Sequence, residues 1–137
     1  MLDLNQCACS GKTLARLLRP ALLALLARDE THGYDLVQQI HGLPMFADTP
    51  PDTSGIYKLL KTMELEGLVA ARWELGESGP AKRRYALTSE GQTCLARWSE
   101  TLEIYRGQIE GLLALLPGNR KSSPGGARRK CGCGKAG

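Results

Sequence analysis

Four of the five cysteines fall in two close pairs, Cys7-x-Cys9 and Cys131-x-Cys133, near opposite ends of the chain. Four sulfurs supplied this way could complete a tetrahedral zinc or iron site, or hold an iron–sulfur cluster. The same pairs could work as a thiol–disulfide switch, or they could be two unrelated tails. Arg128, Arg129 and Lys130 adjoin the second pair and would favour its thiolate forms, which both bind metal and oxidise. The fifth, Cys94, lies in an apolar-patterned stretch and reads as a small packing residue. His32 and His41 have no partner at ligand spacing and read as structural.

The other chemistry on offer is cationic. Lys82, Arg83 and Arg84 follow one another, and Lys58 and Lys61 lie three apart beside Ser54, Tyr57 and Thr62. Amines and hydroxyls in such groupings suit phosphate and base edges. Catalytic groupings are missing. There is no Gly-rich phosphate loop, no paired carboxylates around a cleft and no nucleophile with an evident base, so an enzyme is not expected.

Charge bears on where nucleic acid could bind. The chain of 137 residues carries a formal net charge of +4. Residues 118–137 hold six basic residues and no acidic one, so residues 1–117 hold 12 basic against 14 acidic. The body is slightly acidic, and a DNA reading must rest on local clusters rather than on total charge. With 42% hydrophobic residues the chain can bury one modest core. No apolar run is long enough to span a membrane, and the first residues lack a signal-peptide pattern, so a cytoplasmic location is expected.

The positioning elements follow from periodicity. Residues 1–12 look like a polar arm. Thr13 to Arg28 has helical apolar spacing, interrupted by Pro20, which would kink it or divide it in two. Thr31 is expected to cap a short helix through Ile40, with Tyr34, Val37 and Ile40 on one side. Thr49, Pro50 and Asp52 read as the start of a third helix that runs to about Glu66 and stops at Gly67. Two strands follow, Leu68–Leu75 and Lys82–Thr88, with Gly76, Gly79 and Pro80 in the turn. Tyr34, Trp73 and Tyr85 are expected in the core.

On the third helix Ile56, Leu59, Leu60 and Met63 share one face, while Ser54, Tyr57, Lys58, Lys61 and Thr62 take the other. The second face could enter a major groove, and Lys82, Arg83 and Arg84 in the hairpin could straddle a phosphate backbone. From Thr88 or Ser89 to Pro117, Leu95, Trp98, Leu102, Tyr105, Ile109, Leu112 and Leu116 step by three and four. That is a heptad seam, and it calls for a partner helix. The chain thus reads as mainly α with a small β-hairpin. Residues 13–88 form a winged helix-turn-helix, residues 89–117 a C-terminal dimerisation helix, and residues 118–137 a basic disordered tail.

In this order the motifs resemble those of the PadR-type transcriptional regulators. The residues concerned are His32-Gly33-Tyr34-Asp35-Leu36, Ser54-Gly55-Ile56-Tyr57-Lys58-Leu59-Leu60 and Met63-Glu64-Leu65-Glu66-Gly67-Leu68-Val69. Gly79-Pro80 before Arg83-Arg84-Tyr85, and Leu87-Thr88-Ser89-Glu90-Gly91, complete the set. The resemblance implies a winged-helix homodimer, usually a repressor, whose third helix reads double-stranded DNA with Tyr57 and Lys58 facing it. It also implies an effector, and a planar aromatic compound held at Trp98 in the dimer interface is the candidate. The cysteine pairs lie outside the family pattern and offer metal or redox input instead. The rival reading is a winged-helix module that binds protein rather than DNA.

Overall fold

A computed structural model describes residues 12–76 and 79–118. The two cysteine pairs, most of the N-terminal arm and nearly all of the basic tail lie outside the described residues. The chain divides within its last helix, after Trp98, into two compact units.

The first unit begins with a 3₁₀ turn, Lys12–Leu17, that leads into α1, Leu18–Arg28. Of the two readings of Pro20, division into two pieces is the one observed. Pro20 sits in the first turn of α1, where its missing N–H would have had no intrahelical acceptor. Leu18, Leu22, Leu23, Leu25 and Leu26 are buried.

Thr31–His32 does not cap a helix. It is a two-residue strand, β1, which pairs antiparallel with the hairpin's second strand. Extended backbone at His32 then opens α2, Gly33–His41. Gly33, Leu36, Val37 and Ile40 form its buried face. Tyr34 lies one residue off that face and is 68% exposed, against the expectation of a core residue. A 3₁₀ turn, Pro44–Phe46, follows, with Phe46 buried in the core.

α3 spans Thr53–Leu65. Its cap is Asp52, not Thr49: the Asp52 carboxylate accepts from Gly55 N at 3.1 Å. Pro50 and Pro51 precede the cap in non-helical backbone, and His41 Nε2 donates to the Pro51 carbonyl at 2.8 Å. At the other end Gly67 takes φ +85°, and Leu68 N and Gly67 N bond back to Met63 O and Glu64 O. This closing motif needs the left-handed conformation that glycine adopts without a Cβ clash.

β2, Val69–Glu74, and β3, Lys82–Leu87, form the hairpin, and the sheet order is β1-β3-β2. The sheet therefore has three strands, one more than the hairpin read from sequence. Val69 and Tyr85 face the helices and are buried. Trp73 continues the same alternation but is 63% exposed, because the hairpin runs on past the core. α4, Ser89–Leu115, begins in this unit. Thr88 Oγ1 accepts from Gly91 N at 3.0 Å and lies 2.6 Å from Gly67 O and 2.9 Å from Leu68 O. Leu95, Trp98 and Cys94 pack half-buried against the core.

The second unit, from Ser99, is described only along the rest of α4 and as far as Gly118. Leu102 is half-buried there, whereas Tyr105, Ile109, Leu112 and Leu116 are exposed, as are Ile104, Leu113 and Leu115. No helix among the described residues is long and apolar enough to cross a membrane.

Candidate nucleic-acid interface

α3 is built with one committed face and one open face. Ile56, Leu60 and Met63 are fully buried and Leu59 packs half-buried beside them, as the 3.6-residue period requires. Ser54, Tyr57, Lys58, Lys61 and Thr62 are all exposed. Their free bonding capacity differs. The Ser54 hydroxyl donates to Asp52 Oδ2 at 3.1 Å, and the Thr62 hydroxyl donates to the Lys58 carbonyl at 3.1 Å. Both hydroxyls keep acceptor capacity but have spent their proton locally. Lys58 and Lys61 form no ion pair with the described residues, so their ammonium groups remain available.

Tyr57 is held by a close approach. A Cβ added to Gly33 would lie 2.6 Å from Tyr57 Cε1, so the ring lies directly on the start of α2. Only a glycine leaves that seat open. The Tyr57 hydroxyl has no hydrogen-bond partner among the described residues.

The hairpin distributes its three consecutive cations differently from a shared clamp. Successive strand residues point to opposite faces. Arg83 therefore turns toward the helices and Arg84 away from them, while Lys82, at the open start of the strand, is exposed. Arg83 Nη2 donates to both carboxylate oxygens of Glu64 on α3, at 2.9 and 3.1 Å, while its Nε is buried without a hydrogen-bond partner among the described residues, and its guanidinium lies 5.3 Å from the centre of the Trp73 ring. Arg84 Nε lies 3.5 Å from Glu30 and 3.9 Å from Glu74. Arg72 stands directly opposite Arg84 and reaches the same Glu30 at 3.3 Å, which offsets the like-charge repulsion of the facing pair. Lys82 is exposed and unpaired among the described residues.

His32 joins the network from β1. Its Nε2 donates to Glu74 Oε1 at 2.6 Å, and its Nδ1 lies 3.9 Å from Asp35. The His32 hydrogen bond holds the Glu74 carboxyl below its ordinary value of 4.5, with help from Arg84 and Arg72. Burial pushes the Tyr85 phenol above its ordinary value. Glu30, Glu64 and Glu74 are the functional neighbours that local sequence patterns did not reveal. Glu64 lies 19 positions from Arg83, and Glu74 lies 42 from His32, so no short-range spacing could have disclosed either pairing.

Residues 22–97 match the model of the transcriptional regulator PadR-like family. This chain belongs to that family. Among curated proteins, the transcriptional regulator YqjI of Escherichia coli is 31% identical over 93 residues, which are 68% of this chain and 42% of that protein. The chain thus spans about two-fifths of the length of that relative. The crystal structure of TA0346 from Thermoplasma acidophilum is 30% identical with a TM-score of 0.62, covering 77% of this chain and 98% of the other. The Bacillus subtilis PadR, solved in complex with operator DNA, is 29% identical with a TM-score of 0.54, over 60% of this chain and 46% of the other. The PadR-like assignment carries the winged-helix architecture with it, and the family is one of transcriptional regulators rather than enzymes. In this PadR-like chain β2 and β3 form the wing of the winged-helix fold, and α3 is its third helix.

Proposed function

We propose that the chain binds double-stranded DNA as a homodimer and represses transcription from an operator with inverted-repeat symmetry. The observation that carries the reading is the open face of α3. Two unpaired lysines and the polar edge of Tyr57 stand on a helix whose opposite face is locked into the core. A rigid helix with free cations at its surface can be laid in a major groove without disturbing the fold. The Bacillus subtilis PadR, solved in complex with operator DNA, supports the DNA reading here. In the wing, Lys82 is the free phosphate-binding cation, while Arg83 and Arg84 position strands and helix through carboxylates.

The partner helix for α4 is a second copy of α4. Tyr105, Ile109, Leu112 and Leu116 form an exposed apolar stripe at heptad spacing, and such a stripe is stabilised by an equivalent stripe. Two subunits would present their α3 helices to half-sites about one helical turn apart, roughly 10 bp. Trp98 is only half-buried and could hold a planar aromatic effector, while Cys7, Cys9, Cys131 and Cys133 could take zinc or iron or oxidise as the input.

The protein-binding alternative has one observation in its favour: Arg72, Arg83 and Arg84 are all neutralised by carboxylates. A gel shift with the region upstream of the chain's own gene separates the two readings. Retarded, salt-sensitive complexes at submicromolar protein support the DNA reading, and no shift at low salt rejects it.

A further inference from the structure

A cleft of about 240 Å³ opens where the start of α2, the side of α3 and the start of β3 come together. Tyr57, Lys82, Gly33, Tyr34 and Arg83 line it, together with His32 and Asp35. The Tyr57 ring is pressed on Gly33, with its hydroxyl 3.1 Å from where a Gly33 Cβ would lie. That contact places the ring against the start of α2. The hydroxyl is a donor with no partner among the described residues, and Lys82 is a cation with none. Glu64 neutralises the Arg83 charge, while Arg83 Nε is buried without a partner among the described residues. The Asp35 carboxylate also lines the cleft and lies 3.9 Å from His32 Nδ1.

Resting on the DNA reading above, we infer that this cleft holds one phosphate of the DNA backbone, with Tyr57 Oη and Lys82 Nζ as its donors. Tyr57 is then a phosphate anchor and not a base reader, and Gly33 is the positioning residue that seats it. The chemistry fits on three counts. A phosphodiester is an acceptor without donors, and it meets one neutral O–H and one N⁺–H. Tyr57 shares the exposed face of α3 with Lys58 and Lys61, so a backbone held at Tyr57 would run alongside that helix. The α2 start has no side-chain cap, so no side chain is bonded to its first amides, although the Asp35 carboxylate lines the same cleft.

The two donors leave different signatures. Lys82 displaces a counterion when it meets phosphate, and a neutral hydroxyl does not. With full-length protein and a mixed-sequence duplex, Lys82→Gln should flatten the dependence of log K on log salt by about 0.9 for each subunit. Tyr57→Phe keeps the ring and the fold. It should weaken binding about tenfold on mixed-sequence and upstream duplexes alike, with the salt slope unchanged, as loss of a hydrogen bond to a charged group predicts. The two changes should be non-additive, because they share one phosphate. Gly33→Ala should reproduce the Tyr57→Phe loss if it folds, and Tyr57→Phe stands alone if it does not.

Additive losses would overturn the shared site. So would a Tyr57→Phe effect confined to the upstream duplex, since that would make Tyr57 a base reader. Inorganic phosphate at matched ionic strength should compete with the duplex no better than chloride. Competition by phosphate that disappears in Tyr57→Phe would mark a site for a small phosphorylated ligand and overturn the DNA assignment. A wild-type chain that binds no duplex sinks both readings, whereas normal binding with Tyr57→Phe unchanged sinks this one alone.

Discussion

Arg83 and Lys82 are neighbours of the same charge with opposite expected phenotypes. Arg83 is about one-third exposed, makes two bonds to Glu64 and covers a face of Trp73. Arg83→Ala should lower unfolding free energy by about 1–2 kcal/mol, measured by urea denaturation, because a partly screened ion pair and a cation–π contact are lost. Lys82→Ala should leave the denaturation midpoint unchanged. Equal midpoints for the two variants would contradict the pairing. Glu74 adds a pH dependence. Its folded pKa is depressed, so its stabilising effect is present above its ordinary value of 4.5 and is lost as pH falls through the lower folded value. Glu74→Gln should therefore lose stability relative to wild type at neutral pH and lose less of it on acidification. The two urea profiles, taken from pH 7 to pH 3, should converge at the acid end.

The junction between wing and α4 depends on backbone contact. A Cβ at Gly91 would lie 2.2 Å from the Leu68 carbonyl oxygen and 2.6 Å from Leu87 Cδ1. Neither a carbonyl in the hairpin base nor a packed leucine can yield that distance cheaply. Gly91→Ala should cost about 3 kcal/mol by overpacking, although alanine is the better helix former. A gain in thermal stability for Gly91→Ala would show that α4 enters by some other path. The hydroxyl of Thr88 ties the same junction to Gly67 and Leu68, so the end of α3, the base of the wing and the start of α4 respond together.

For the molecule as a whole, the heptad seam is shared between two jobs. Leu95 and Trp98 pack against the core of their own winged helix, while Tyr105, Ile109, Leu112 and Leu116 are exposed in the single chain. Ile109→Lys should abolish dimers in sedimentation while leaving the circular dichroism spectrum of a folded chain. Leu95→Lys should instead lower the unfolding midpoint, since it drives an ammonium toward apolar packing. A wild-type chain that sediments as a monomer at micromolar concentration would remove the dimer from the proposal.

The order of the helices and of the two hairpin strands, the buried face of α3 and the stop at Gly67 were legible in the sequence. Periodicity and left-handed glycine are local properties that each stretch of chain carries with it. The family motifs were legible for the same reason. The start of α3 was misplaced by three residues, because Thr49 and Asp52 offer the same capping chemistry and only the path of the chain past Pro51 chooses between them. β1 was missed because a two-residue strand has no period, and Thr31 and His32 extend only because Tyr85 and Arg84 lie opposite. The triplet Lys82-Arg83-Arg84 read as one basic patch, and the pleat of β3 divided it. Which cation stays free was decided by Glu64, Glu30 and Glu74, carboxylates distant in sequence that the fold alone brings within bonding range.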